Sequence, residues 1–281
     1  MTASRLFSGI ACAAVVLGAQ ASALAAPWAV RTPPSDRVPF KGVASMDDVG
    51  KPGAMLYPAA GAAGLIAAIV THAVIASSVR DHEKSEIEKA ADKILEPFDA
   101  SLATFTLRDL VLGASALSRH GEPRWLASNE KAEAWVVSSK PVFSMTQDRA
   151  ALILENDVTL TPPSGQPVYA NRVRVISSVH LYENLAGFWG EDQARALKAE
   201  SVRLLAASVD IALDDAIVPR PAASPGAQRT VRYPEGGKLV FERAEIIKEA
   251  CDRMLLRNLR GWLVSVPRNG PPASSCAEAA Q

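Results

Sequence analysis

The sequence predicts an α+β fold in which a Gly/Ala-rich hydrophobic helix leads into helices packed on a small antiparallel sheet. Segments with strand-like composition are grouped between residues 135 and 181, whereas helical patterns precede and follow them. This grouping is typical of an α+β domain and not of a repeating βαβ series. The chain has 281 residues and a hydrophobic content of 48%, which is enough to form a large core.

Charge composition excludes one broad class of function. Lys+Arg and Asp+Glu both number 30, so the formal net charge is zero. A chain without a basic field has no general attraction for nucleic acid. We therefore expect no nucleic-acid partner.

Residues 1–25 have the pattern of a secretory signal peptide. Arg5 supplies a positive charge, an uncharged stretch follows, and Ala23 and Ala25 are the small residues that suit cleavage after Ala25. Cys12 lies inside the apolar stretch without a leucine three positions upstream, so we reject a lipoprotein signal. The pattern predicts export to the periplasm.

The next two segments differ sharply in composition. Residues 26–51 contain four prolines and scattered charges, which predicts an extended lead-in. Residues 52–79 carry no Asp, Glu, Lys or Arg. A helix over 58–79 is about 33 Å long, the length of a membrane span. We therefore predict a transmembrane helix here, with membrane lipid as a partner.

Small residues in this predicted helix recur at a spacing that favours helix association. Ala60, Gly64 and Ala68 form one column, and Gly61 lies beside it. Small side chains let two helix backbones approach closely, which predicts a homo-oligomer. The alternative is a buried helix of the soluble domain. Weak hydrophobicity favours translocation of the whole chain with later membrane association, although a bitopic protein with a cytoplasmic domain is the other topology.

Residues 80–267 are predicted to form the α+β domain, beginning with two helices. Ile87, Ile94 and Phe98 recur on one face of a charged segment, which predicts an amphipathic helix that Pro97 ends or kinks. A second apolar period over 107–117 predicts the next helix.

A change of period then predicts the sheet. Segments 135–137, 142–143, 150–160 and 168–181 are rich in β-branched and aromatic residues, which predicts an antiparallel meander. An apolar stripe over about residues 191–215 predicts a long helix that covers this sheet.

The C-terminal part is predicted to be a hairpin, a helix, a short strand and a tail. Gly236 and Gly237 separate two short strand-like segments. Apolar residues spaced as on one helix face predict a final helix over 243–260. Residues 262–266 return as a strand, and 268–281 are expected to be disordered. The stripe of the final helix consists of Ile247, Cys251, Met254, Leu255 and Leu259.

No motif for catalysis, cofactor binding or metal binding is present. Walker, dinucleotide, nucleophile-elbow and Cys-x-x-Cys patterns are all missing, so we predict a non-enzymatic protein without cofactor or metal. A periplasmic hydrolase is the alternative, with dispersed residues assembled around His180. Its partners would be Asp157 or Asp192 and Ser177 or Ser178. A strand histidine hydrogen-bonded near a sheet edge is the simpler interpretation.

The predicted final helix carries two further features. Arg253, Arg257 and Arg260 form a basic stripe, a candidate contact for anionic lipid heads or an acidic partner. Local ion pairing with nearby carboxylates is the alternative. Cys251 and Cys276 remain after signal cleavage and either form a disulfide or, because Cys251 belongs to the apolar stripe, leave a buried thiol.

The segment from Tyr57 to Ile66, the charged helix after it and the meander with its covering helix resemble a family of uncharacterised exported proteobacterial proteins. The resemblance covers about two thirds of the chain and implies no known activity or catalytic residues. In outline, the meander and long helix are also similar to periplasmic auxiliary lipoproteins of envelope transport systems, although this chain lacks their lipidation cysteine.

These features together predict a non-enzymatic cell-envelope protein. It would be exported, membrane-associated and self-associating through the small-residue helix, and its α+β domain would contact another envelope protein in the periplasm.

Overall fold

One mixed sheet contains all ten strands of the described part of the chain. The computed structural model describes residues 28–31, 36–44, 84–127, 129–163, 165–217 and 227–269. The strands are β1 (Trp28–Arg31), β2 (Phe40–Gly42), β3 (Arg124–Leu126), β4 (Trp135–Met145), β5 (Leu152–Thr161), β6 (Tyr169–Ile176), β7 (Gln228–Glu235), β8 (Lys238–Glu249), β9 (Arg253–Asn258) and β10 (Leu263–Pro267). The helices are α1 (84–92), a 3-10 helix (Lys93–Phe98), α2 (Asp99–Leu102), α3 (Leu107–Leu117) and α4 (Leu185–Ile217).

Strand order shows that the predicted fold class is wrong. The order is β3-β1-β4-β5-β6-β10-β9-β8-β7, and β2 also pairs with β4. Strands β4, β5 and β6 form the predicted antiparallel meander. However, β1 and β2 from the lead-in pair with β4 in parallel, and β10 pairs with β6 in parallel. Additions on both sides turn the small antiparallel sheet of the prediction into a large mixed one.

One face of the central strands is covered by α3 and α4. Alternate residues of β4, β5 and β6 point to this face, where they meet the apolar side of the long helix. We call this cluster the helix-side core. Helix α4 is broken near its start, because Asp192, Gln193 and Ala194 have positive φ. The buried residues of the helix-side core include Phe98, Phe143, Leu152, Leu154, Trp189, Leu197 and Leu205.

The opposite face holds a second cluster, which we call the hairpin-side core. It forms where β7 and β8 curl over the sheet, so that Tyr233 and Leu256 are fully buried beside Ile176. The β7–β8 turn reaches the β4–β5 turn, where the Gly237 amide donates to the Asp148 carboxylate. Gly236 permits this approach because a Cβ there would lie 2.7 Å from Asp148 Oδ1.

The predicted final helix over 243–260 is also wrong. This segment forms the end of β8, a short turn and all of β9. The β8–β9 register shifts between Ile246 and Lys248, which indicates an extra residue in β8 at Ile247. Leu255 packs on the helix-side core whereas Met254 and Leu256 belong to the hairpin-side core. Burial on both faces removes the alternation that normally identifies a strand.

For the helices that the structure describes, the prediction of a transmembrane helix is wrong. None of them is long and apolar enough to cross a bilayer. Residues 58–79 lie outside the described residues, as do the predicted signal peptide and residues 270–281 of the predicted tail. The prediction depended on length and lack of charge, whereas Ala and Gly contribute little insertion free energy.

Candidate functional site

A cavity of about 230 Å³ lies between the helices and the sheet on the helix-covered face. Strands β1 and β4 form its floor, and α3 and α4 form its sides. The side chains reach it from sequence positions far apart, because β1 comes from the lead-in and α4 follows the meander. Its lining includes Trp28, Val30, Val111, Ala114, Val137, Leu205 and Val209.

The local sequence explains why this space is apolar and why it stays open. In α3, Val111, Ala114 and Ser115 lie three and four residues apart and so share one helix face. The small side chains of Ala114 and Ser115 fill little of the gap towards α4. Trp28 is held at the other side because its indole nitrogen donates to the Gly121 carbonyl at 3.1 Å.

Polar groups at the cavity are mostly satisfied within the protein. Ser115 donates to the Val111 carbonyl at 2.7 Å. Ser139 donates to Asn156 Oδ1 at 2.7 Å, and the Asn156 amide donates to Ser208 Oγ at 3.0 Å. The exposed Arg31 stands at the rim and donates to two backbone carbonyls of the β3–β4 connection. Among the described residues that line the cavity, Arg31 is the only ionisable one.

This arrangement suits binding of an apolar group and not acid–base chemistry. General acid–base catalysis needs a titratable side chain within hydrogen-bond reach of the reacting atoms. The cavity walls supply mainly hydrocarbon, and the hydroxyl groups of Ser115 and Ser139 donate hydrogen bonds to other groups of the protein. Sequence reasoning missed this site because its residues share no motif. The only local signal was the small Ala114-Ser115 pair within the apolar period of α3.

The hydrolase constellation around His180 is not assembled. Nε2 of His180 is buried without a hydrogen-bond partner among the described residues. The centre of its ring lies 5.0 Å from the ring centre of Phe188 and 4.8 Å from that of Trp189. Burial lowers the pKa of His180. Asp157 is bound by Arg172, and Asp192 is bound by Arg195.

The two serines suggested as nucleophiles do not approach His180 as partners either. Ser177 is fully buried and donates to the Ser178 carbonyl at 3.0 Å, while its oxygen accepts the Leu152 amide. No described observation therefore favours a hydrolase.

A second polar cluster, which the sequence did not reveal, joins the end of α3 to α4. Ser118 Oγ donates to Asp210 at 2.6 Å, and Arg119 binds both Asp210 and Asp214. The His120 ring contacts Asp214 at 3.0 Å. Hydrogen bonding to Asp214 is the largest effect that raises the pKa of Arg119. Each group is used in holding the loop after α3, which indicates a structural role.

The three predicted anion-binding arginines do not form one stripe. Arg253 donates to the Ile176 carbonyl at 2.6 Å and to Ser265, and burial lowers its pKa. Arg257 pairs with Asp215 at 3.2 Å. Arg260 lies in the β9–β10 turn with its guanidinium 4.9 Å from the Trp262 ring centre. Placement on strand β9 and the turn after it separates side chains that a helix would have aligned.

The remaining predicted positions give two further results. Ala60, Gly61, Gly64 and Ala68 lie outside the described residues. Cys251 is disulfide-bonded. Across the described ranges, no group of three or more His, Cys, Asp or Glu side chains is arranged to hold a metal ion.

Comparison with family models, curated proteins and solved structures finds no match for this chain. The resemblance to exported proteobacterial proteins therefore stays a prediction.

Proposed function

We propose that this chain is an exported, non-enzymatic binding protein of the cell envelope, which holds the aliphatic chain of a lipid in the cavity between α3, α4, β1 and β4. The observation that carries the proposal is the cavity itself. Its walls are apolar, and it lies between secondary-structure elements that hold its shape. Preformed apolar cavities of this kind are the usual sites for small hydrophobic ligands.

The size of the cavity favours a ligand over an empty packing defect. Its volume is about 230 Å³, whereas an apolar cavity of roughly 150 Å³ already binds benzene. Moving a hydrocarbon chain from water into such walls yields about 25 cal/mol for each Å² of apolar surface buried. A short aliphatic chain would therefore bind without any ionic contact.

Two observations support the envelope as the location. The pattern of residues 1–25 predicts export, and the disulfide at Cys251 suits an oxidising compartment outside the cytoplasm. Lipid acyl chains are abundant in that compartment.

Trp28 offers a direct measurement of binding, since its ring lines the cavity. We expect octanoate and octanol to change tryptophan fluorescence in a saturable way. Ala114→Leu should weaken binding at least tenfold, because the added methyl groups occupy the space between α3 and α4. Ala116→Leu is the matched control, since Ala116 lies on the exposed side of the same helix.

Circular dichroism and calorimetry on these variants distinguish loss of binding by filling of the cavity from loss of binding by misfolding. Both should have the wild-type circular dichroism spectrum, and Trp28→Phe should remove most of the fluorescence response without preventing binding measured by calorimetry. Equal affinity of the Ala114 and Ala116 variants, or no saturable binding by wild type, would overturn the proposal.

Self-association through the small-residue segment stays a prediction. Gly64→Ile should reduce crosslinked oligomers because the larger side chain holds backbones apart, while Ile66→Leu should change little. Equal oligomer yields from the two variants would contradict it.

A further inference from the structure

The β7–β8 hairpin exposes two large apolar side chains on the helix side of the sheet, at strands that the long helix does not cover. Leu239 and Phe241 are 44% and 61% exposed. Their neighbours Val240 and Ala244 point to the other face, into the hairpin-side core. Since side chains alternate along a strand, the exposure of Leu239 and Phe241 follows from the position of the hairpin beyond α4, which packs on β4, β5 and β6.

Two cations flank these apolar side chains. Arg232 lies directly opposite Phe241 in the β7–β8 register, and Arg243 follows Phe241 by two residues on the same face. Both arginines are exposed, and neither forms an ion pair in the described structure. We call Arg232, Leu239, Phe241 and Arg243 the hairpin patch. The nearest acidic residue of that face, Glu245, lies at its base opposite Arg257 of β9.

Lack of ion pairing distinguishes the hairpin patch from the arginines on the central strands. On β6, Arg172 binds Asp157 and Arg174 binds Glu235, so those charges are neutralised locally. The charges of Arg232 and Arg243 therefore remain available to a ligand, next to the solvent-exposed side chains of Leu239 and Phe241. An occupant that complements this patch must be both anionic and apolar.

We propose that the hairpin patch docks the protein on the surface of an anionic lipid bilayer. Phosphate groups would meet the two arginines, while Phe241 and Leu239 enter the boundary between headgroups and acyl chains. The contact is peripheral and does not depend on the cavity described above.

Two features favour a bilayer over a protein partner. Two apolar side chains are far fewer than the roughly 20 to 30 residues per side of a stable protein interface. Addition of a strand from another chain is opposed at this edge, because Pro234 of β7 has no amide hydrogen and Arg232 is charged.

Vesicle sedimentation with the full chain tests the charge contribution. Wild type should bind phosphatidylglycerol-containing vesicles better than pure phosphatidylcholine vesicles, and binding should weaken between 50 mM and 300 mM salt. Changing Arg232→Gln together with Arg243→Gln should weaken binding roughly 25-fold, about fivefold for each charge. Arg108→Gln with Arg260→Gln is the matched control, because it removes two exposed charges elsewhere and should leave affinity within about twofold.

The apolar contribution has its own matched pair. Phe241→Ser should weaken binding about tenfold, whereas Leu259→Ser should not, although Leu259 is 63% exposed in another turn. All these side chains are exposed, so thermal melts should stay close to wild type. A Phe241 variant that failed to fold would leave the arginine pair as an independent test.

Three results would overturn the proposal. One is equal binding by the arginine variant and its control, which would assign lipid binding to another part of the chain. Another is a wild type that does not distinguish anionic from neutral vesicles. The third is a hairpin variant that changes the sedimentation coefficient of the protein without vesicles, which would identify the patch as a contact between two copies.

Discussion

The central strands β4 to β6 and the C-terminal strands β8 and β9 belong to one sheet but differ in how their sequence shows it. In β6, Val173 and Val175 are buried while Arg172 and Arg174 carry charges on the other face. The period of two is therefore visible in the central strands. In β9 the run Met254-Leu255-Leu256 supplies side chains to both cores, so no period of two remains.

The difference shows how a strand buried on both faces imitates a helix. Ile246 contacts the hairpin-side core and Ile247 the helix-side core, because neighbouring residues of a strand face opposite sides. Together with Met254 and Leu255 they reproduce a helical spacing. Glu, Lys, Ala and Arg between them favour helix by intrinsic propensity, but pairing with β7 and β10 outweighs that preference.

The largest expected effect on stability comes from two leucines, Leu256 and Leu259. The predicted helix and the observed strands differ in which of them is buried. A helix over 243–260 places Leu259 on the buried stripe, whereas the sheet buries Leu256 completely and exposes Leu259. Leu256→Ala should lower the free energy of unfolding by about 3 kcal/mol. Leu259→Ala should change it by less than about 0.5 kcal/mol. Urea denaturation measures both, and the reverse ranking would restore the helix.

How far the sequence predicts this structure depends on where the determining contacts lie. The meander, α3, the long helix and the Gly236-Gly237 hairpin depend on neighbouring residues, so pattern and turn chemistry located them. The parallel pairing of β10 with β6 depends on contacts such as Leu263 with Val173, which no local pattern encodes. The same holds for the cavity, because its lining residues are spread along the sequence between Trp28 and Val209.

A smaller effect is expected where β9 is joined to the long helix. Arg257 pairs with Asp215, whose side chain is only 11% exposed. Arg257→Gln should lower stability by about 2 kcal/mol, because the buried carboxylate loses a charged partner. Arg260→Gln, which removes an exposed charge from the next turn, is the control and should cost less than about 0.5 kcal/mol. If thermal melts rank these two arginines equally, Arg257 does not hold the regions together.

The smallest expected effect concerns the contact between the two turns. Burial alone would raise the pKa of Asp148, but hydrogen bonds from Thr146, Ala150 and Gly237 lower it below its ordinary value of 3.8. Because the folded-state pKa is lowered, the stabilisation is complete above pH 3.8 and is lost as pH falls through the lowered value. Asp148→Asn should therefore cost about 1 kcal/mol at pH 7.

The difference between wild type and the Asp148 variant should shrink below pH 3.8, as measured by urea denaturation from pH 7 to pH 2.5. Asp36→Asn, at an exposed carboxylate, is the control and should be neutral across the range. A pH-independent difference for Asp148→Asn would show that the contact acts through packing and not through charge.

The position of β10 determines when this protein is able to finish folding. β10 lies between β6 and β9 in the sheet, although it is the last strand of the described chain. Until residues 263–267 are available, β6 and β9 each present an open edge that is able to pair with another chain. Release of the chain through residue 267 from the ribosome must therefore precede closure of the sheet, so the unfinished intermediate is the state most exposed to aggregation and proteolysis.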